Sequence, residues 1–205
     1  MSTDLGTQRC VTPFATLRPY VADLHAQWLR EQPDERYRCL AGTLVFADIS
    51  GFTPLTERLA KRGRVGAEAL TEVLNDVFGS LLVVAAGHGG DLLKFGGDAL
   101  LLLFDGPDQQ RRACAAAAAM QTALRPWRRF STDDGAMSLR MSVGAAAGDI
   151  HAFLVGERHR ELLIGGPVVS RVVSLEAVAA AGEIVIDKAI AAVLAAPVAI
   201  LVGEA

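Results

Sequence analysis

The chain has 205 residues, of which 51% are hydrophobic and 21% charged, with a formal net charge of −3 and a pI near 5.8. That balance supplies a packed core and excludes a disordered chain, while the acidic surplus argues against a general nucleic-acid binder, which carries a basic stripe. The length fits one domain, or one domain with an appendage.

Residues 1–12 are polar and read as loose; they show no basic n-region or apolar h-region, so no signal peptide is expected. Residues 14–31 read as a helix, with Leu17, Tyr20, Val21, Leu24 and Trp28 on one stripe and Pro33-Asp34-Glu35 as its stop. This suggests an N-terminal helical appendage over residues 1–38 and a main domain over 39–205. Residues 41–48 are expected to be the first core strand, buried on both faces through Leu44-Val45-Phe46-Ala47. Thr53-Pro54 is expected to open a helix to about Arg62, with Thr as cap. A second helix is expected over 66–86, closed by Gly87-His88-Gly89-Gly90. Residues 91–95 and 99–104 read as a hairpin turning on Gly96-Gly97.

Residues 107–129 are expected to form a third helix, whose Ala115–Ala119 run lies close against a sheet. A polar turn follows at 131–136, then a strand at 137–147 with which 149–154 is expected to pair. Residues 157–160 form a charged tip and 162–164 a short strand. Gly165-Gly166-Pro167 opens a fourth helix to about Ala180, followed by a strand at 183–187, a helix at 188–195 and a last strand at 198–202. Cys10, Cys39 and Cys114 have no metal-like spacing, which points to a reducing, cytoplasmic setting without disulfides. No uninterrupted apolar run reaches bilayer length, so no membrane contact is expected through this chain.

The order strand, helices, hairpin, helix, strand is that of an α+β protein with a ferredoxin-like βαββαβ core and C-terminal additions. In this topology the first two strands lie parallel, with the third between them and antiparallel to both. The C-terminal end of the first strand then meets the hairpin turn, and Asp48 and Asp98 come side by side. One carboxylate rarely holds a divalent ion alone; two at one strand end form a candidate metal site. Read singly, Asp48 is a strand-end residue satisfying loop amides and Asp98 is turn chemistry. Lys94 reads equally as a solvated edge lysine or a site residue. His25, His88, His151 and His159 show no ligand spacing.

Phe46-Ala-Asp48-Ile-Ser-Gly-Phe-Thr53 and Gly90-Asp-Leu-Leu-Lys94-Phe-Gly-Gly97-Asp98-Ala resemble the class III adenylate and guanylate cyclase domain. More closely, they resemble the first, metal-bearing half of the bicarbonate-responsive soluble adenylyl cyclases. The resemblance implies attack of the ribose 3′-oxygen of ATP on its own α-phosphate, with two Mg2+ or Mn2+ ions bridging Asp48 and Asp98. It implies that the carbonyl of Ile49 completes one metal shell. Ser50, Gly51, Phe52 and Thr53 would offer main-chain N–H groups to the β/γ phosphates. Lys94 would contact the purine or bicarbonate, and Gly97, in the turn beside Asp98, and Arg140 would join the nucleotide-binding residues.

The second half departs from the active pattern. Leu162 stands where the family carries Thr or Asp, and Val169 and Val173 stand where it carries an Asn and an Arg that stabilise the transition state. Ser142 replaces a common basic residue, and Arg140, two residues earlier on the same strand face, is its possible substitute. Arg171 reads as a surface or interface charge. The resemblance therefore implies a metal-donating half within a larger protein, working with a complementary cyclase domain or as a homodimer, with the choice between ATP and GTP open. The alternative is a degenerate cyclase-fold module for dimerisation or for sensing nucleotide or bicarbonate. A third reading rests on Phe95-Gly-Gly-Asp98, which resembles the turn of diguanylate cyclases; that family places Glu after the Asp, where this chain has Ala99.

Overall fold

The long strand β1 (Tyr37–Ser50) runs through the middle of a seven-stranded sheet. The computed structural model describes residues 20–132, 135–194 and 201–202. On one side β1 pairs antiparallel with β3 (Ala99–Asp105), which pairs antiparallel with the edge strand β2 (Asp91–Gly96). On the other side it pairs along its whole length with β6 (Arg140–Val155), from Tyr37 opposite Phe153 to Ser50 opposite Arg140. Beyond β6 lie β7 (Glu161–Gly165), antiparallel, and β8 (Ile184–Ile186), parallel; β9 (Leu201–Val202) pairs with β8. The ferredoxin-like βαββαβ core is thus present, and β1 and β2 are parallel with β3 between them.

Alternation along the strands divides the core into two layers. Val45, Ala47 and Ile49 of β1 face three helices, α2 (Phe52–Ala60), α3 (Arg64–Gly87) and α4 (Gln109–Ala123). Leu44 faces the other way and packs with Val168, Val172 and Leu175 of α5 (Pro167–Val178). A third cluster forms around Trp28 of α1 (Asp23–Glu31), which is fully buried against Ala152 and Leu154 near the far end of β6. The short helix α6 (Lys188–Val193) follows β8.

The structure corrects several boundaries. Helix α1 starts at Asp23, and Tyr20, Val21 and Ala22 before it are not α-helical, so the expected helix does not run unbroken through them. The Asp91 carboxylate accepts the amides of Asp23 and Leu24, each at 2.8 Å, and so caps the helix there. Tyr20 and Val21 precede it, and Tyr20 is 84% exposed; residues 14–19 lie outside those described. The segments 137–147 and 149–154 do not form a hairpin. They are one continuous strand, β6, because β1 offers a continuous ladder across them with Gly148 opposite Gly42. The chain reverses later, between β6 and β7. The third helix stops at Ala123 and tightens into a 3-10 turn, Arg125–Arg128, since Pro126 has no N–H to continue the ladder. The expected polar turn contains a small hairpin, β4 (Phe130–Thr132) with β5 (Gly135–Met137). By length and composition alone α3 is long and apolar enough to cross a bilayer, although Glu68, Glu72 and Asp76 interrupt its apolar residues, so no uninterrupted apolar run of that length is present in it. Its Val77, Leu81 and Ala85 are buried in the core shared with β1, β3 and α4.

Candidate functional site

Strand β1 passes into α2 over one residue, Gly51, whose φ is +107°. A Cβ at Gly51 would lie 2.3 Å from the Ser138 carbonyl oxygen, so only glycine fits this turn. The expected cap therefore moves: Gly51 is the N-cap of α2, and Thr53 and Pro54 sit inside its first turn. Pro54 carries no N–H, so the free amides of that turn come from Phe52 and Thr53, at the positive end of the helix. The Phe52 ring is buried and stacks on Phe78 at 5.5 Å. It offers the site its main chain only, whereas Thr53 is exposed.

The hairpin turn brings the second carboxylate. Gly97 takes φ +73°, Ala99 pairs with Asp48, and the Ile49 amide donates to the Asp98 carbonyl at 3.3 Å. Asp48 and Asp98 are thus adjacent at one end of β1, as the topology implied. Burial pushes the Asp48 carboxyl above its ordinary range, and the nearby charges of Asp98 and Glu176 add to this. Ile49 points its side chain into the opposite layer, fully buried, so only its main-chain carbonyl is placed for a ligand role. A cavity of about 380 Å³ opens beside Asp98, lined by Phe52, Thr53, Thr56, Leu74, Phe78 and Gly97 among others.

The remaining expected residues divide. Ser50 is exposed and donates its hydroxyl to the Arg140 carbonyl at 3.4 Å, and Arg140 pairs with Ser50 at this same end of the sheet. Lys94 follows a register shift in β2 and pairs with Leu101, the partner of Phe46. By alternation it shares a face with Phe46 and Asp48. Its ammonium, however, is ion-paired with Glu161 of β7 at 3.3 Å.

Glu176 was not evident in the sequence. It accepts a hydrogen bond from Ser142 at 2.7 Å, and Ser142 pairs with Asp48 across the β1–β6 ladder. The enabling signal is Gly144. A Cβ there would lie 2.4 Å from the Val172 carbonyl oxygen and 2.5 Å from the Glu176 nitrogen, so its absence lets the α5 backbone rest on the strand.

No phosphate-binding cation appears on α5. Leu162 packs with α1 around Trp28, Val169 packs partly buried beside Val168 and Val172, and Val173 is exposed. Arg171 is committed to the fold: its Nε lies 3.2 Å from Asp187 Oδ2, and it donates to the Ala147 carbonyl at 3.1 Å. Asp187 is buried and also accepts the amides of Ala147 and Ile190.

Among the described residues, no group of three or more His, Cys, Asp or Glu side chains is placed to hold a metal by itself. The donor set is a pair of carboxylates with one carbonyl. That set fits a hard divalent cation that completes its shell with water and substrate phosphate oxygens.

The Adenylate and Guanylate cyclase catalytic domain family matches residues 34–201. The chain is 30% identical over 167 residues to adenylate cyclase type 10 of Homo sapiens, a match covering 78% of this chain and 10% of that protein. Two solved structures share the fold. The guanylyl cyclase Cya2 is 28% identical with a TM-score of 0.63, over 76% of this chain and 79% of that one. The adenylyl cyclase CyaB from P. aeruginosa is 26% identical with a TM-score of 0.65, over 78% and 83%.

Proposed function

We propose that this chain, which belongs to the adenylate and guanylate cyclase catalytic domain family, supplies the metal-binding half of a site that converts ATP to 3′,5′-cyclic AMP and pyrophosphate. The observation that carries this reading is the adjacency of Asp48 and Asp98 at the end of β1, next to the α2 N-terminus. Asp48, Asp98 and the Ile49 carbonyl would hold two Mg2+ or Mn2+ ions, which when bound acidify the ribose 3′-hydroxyl and neutralise the triphosphate. The 3′-hydroxyl gives up its proton to solvent, its oxygen forms a bond to the α-phosphorus, the bond from the α-phosphorus to the bridging oxygen breaks, and pyrophosphate leaves with both electrons of that bond. Phe52 and Thr53 amides bind the departing phosphates, Gly51 sets their direction, and Arg140 stands at the same end as a further phosphate contact.

Leu162, Val169 and Val173 support a division of labour. This chain brings the metal ligands and a complementary domain brings the groups that hold the base and spread the transition-state charge. A homodimer of this chain is the other assembly, with Arg140 as the cation at hand. The substrate is read as ATP from the likeness to adenylate cyclase type 10. The setting is read as cytoplasmic, with no membrane or nucleic-acid partner; Cys39 and Cys114 are free thiols. Bicarbonate is the other partner that the resemblance suggests, at Lys94.

The test is cyclic nucleotide formation from ATP and GTP with Mg2+ or Mn2+, by this chain alone and with a complementary domain. Turnover that is lost in Asp48→Asn supports the reading. Absence of turnover in every assembly that binds metal and nucleotide favours the second reading, a degenerate module for dimerisation or sensing, which the three apolar replacements motivate.

A further inference from the structure

Phenylalanines from three separate elements meet beside the carboxylate pair. The Phe78 ring of α3 stacks on Phe52, the first residue of α2, with centroids 5.5 Å apart and planes 10° from parallel. Phe95 of β2 meets the same ring edge-to-face, at 5.5 Å and 82°. Phe95 pairs with Leu100 at the base of the hairpin whose turn carries Gly97 and Asp98. One half-buried ring therefore touches both the start of α2, with its free Phe52 and Thr53 amides, and the hairpin that carries Asp98.

The hairpin turn is supported unequally on its two sides. Toward β1 the Ile49 amide ties it down through the Asp98 carbonyl. Toward α3 the cavity of about 380 Å³ opens along Phe52, Thr56, Leu74, Phe78, Gly97 and Asp98, and a Cβ on Gly97 would meet nothing within 4 Å. The turn has room to shift on that side, and the contact of Phe95 with Phe78 spans the gap. Stacked and edge-to-face rings hold preferred geometries as well as burying surface, so the pair of contacts sets a spacing.

We propose that Phe78 is a positioning residue: held between Phe52 and Phe95, its ring fixes the separation of the α2 amides from the Asp98 carboxylate, so that one metal–triphosphate engages both at once. A ligand that bridges two sites gains from the second only when their separation matches its own. Loosening the ring should weaken the bridging ligand, while the carboxylate pair, still tied through Ile49, keeps its affinity for the metal alone. The proposal deepens the cyclase reading and rests on it for what the two groups bind, but its test needs no turnover.

The probes are Mn2+ alone and Mn2+ with inorganic tripolyphosphate, which carries the phosphate chain without base or ribose. Titration calorimetry follows both on the intact chain and on Phe78→Leu, Phe78→Tyr and Val77→Ala, with a thermal melt of each. Phe78→Leu should bind Mn2+ within ~2-fold of the intact chain and manganese tripolyphosphate at least ~10-fold more weakly. Phe78→Tyr keeps the ring and should bind both as the intact chain does. Val77 lies one residue earlier on α3 and is fully buried in the core. Val77→Ala should lower Tm yet leave both affinities within ~2-fold. If Phe78→Leu does not fold, Phe95→Leu, whose ring is 47% exposed, carries the same expectation. Tripolyphosphate binding weakened less than ~10-fold, or an equal loss of Mn2+ alone, overturns the proposal and leaves the cyclase reading standing. So does an equal loss in Val77→Ala or in Phe78→Tyr. An intact chain that binds neither probe overturns the proposal and the cyclase reading together.

Discussion

Ile49 donates its amide to the Asp98 carbonyl at 3.3 Å, and this main-chain bond ties the hairpin turn to the end of β1. It brings two carboxylates from distant parts of the sequence to one strand end. Their mutual repulsion, with that of Glu176 and the burial of Asp48, makes the pair a place that gains from a cation.

Asp48→Asn should therefore separate stability from activity. The folded Asp48 carboxyl titrates above its unfolded value, so the folded state binds more protons and loses stability as pH rises through that window. Above the window the ionised carboxylate is a standing cost, which asparagine removes. Since Asp48 is partly solvated the gain is small, a rise in Tm of about 2 °C near neutral pH that disappears in acid. Metal-dependent turnover should fall at least ~100-fold. Calorimetry across pH and a cyclase assay check both halves. For the same reason, divalent-ion binding by the intact chain should begin to weaken on acidification at a higher pH than an ordinary aspartate gives.

Gly51 and Gly97 both take positive φ, yet their alanine variants should differ. At Gly97 nothing lies within 4 Å of an added Cβ, so the cost is the backbone conformation alone, about 1 kcal/mol. At Gly51 the Cβ meets the Ser138 carbonyl oxygen at 2.3 Å. Gly51→Ala should cost more than about 2 kcal/mol and displace the start of α2. Chemical denaturation ranks the two, and nucleotide affinity should follow the same order.

Gly144→Ala tests how α5 is seated. The added methyl would press on the Val172 carbonyl and the Glu176 amide, costing about 1–3 kcal/mol. Because α5 carries Glu176 past Asp48, the variant should also change the apparent affinity for Mg2+, measured by titration calorimetry with a nucleotide analogue. Ser142→Ala, which breaks only the bond to Glu176, should change metal affinity with little loss of stability.

Arg171→Met tests whether the one arginine on α5 serves chemistry or fold. It leaves the buried Asp187 carboxylate with main-chain amides and no cation, and should lower stability by about 1–3 kcal/mol. The turnover of the assembled enzyme at a temperature where it stays folded should be unchanged. A large drop in turnover with normal melting would make Arg171 a catalytic residue.

The aspartate end of the site was legible in the sequence because its signals are local. An apolar strand ending on Asp48, a Ser-Gly turn, and a double-glycine hairpin carrying Asp98 mark the two carboxylates within short windows, and topology joins them. The partners of Lys94 and Asp48 were not legible. Glu161 and Glu176 reach the site through the β6–β7 reversal and the seat of α5 on Gly144, neither of which leaves a pattern at the glutamates themselves. The segments 137–147 and 149–154 are expected to pair with each other, while the long ladder with β1 carries a single strand straight through residue 148. The start of α2 was misplaced by two residues because Thr53-Pro54 has the chemistry of a cap, while the backbone turns earlier, at Gly51.

The most direct measurement is complementation. The chain is mixed with a cyclase domain that carries the Asn and Arg this chain lacks, and whose own metal aspartates are replaced by asparagine. Cyclic AMP formation is then followed with Mg2+ and with Mn2+. Turnover is expected to be negligible from the Asn/Arg domain alone, to appear in the mixture, and to be lost from the mixture with either Asp48→Asn or Asp98→Asn. An associated but inactive mixture, or turnover that survives both aspartate substitutions, would contradict that expectation.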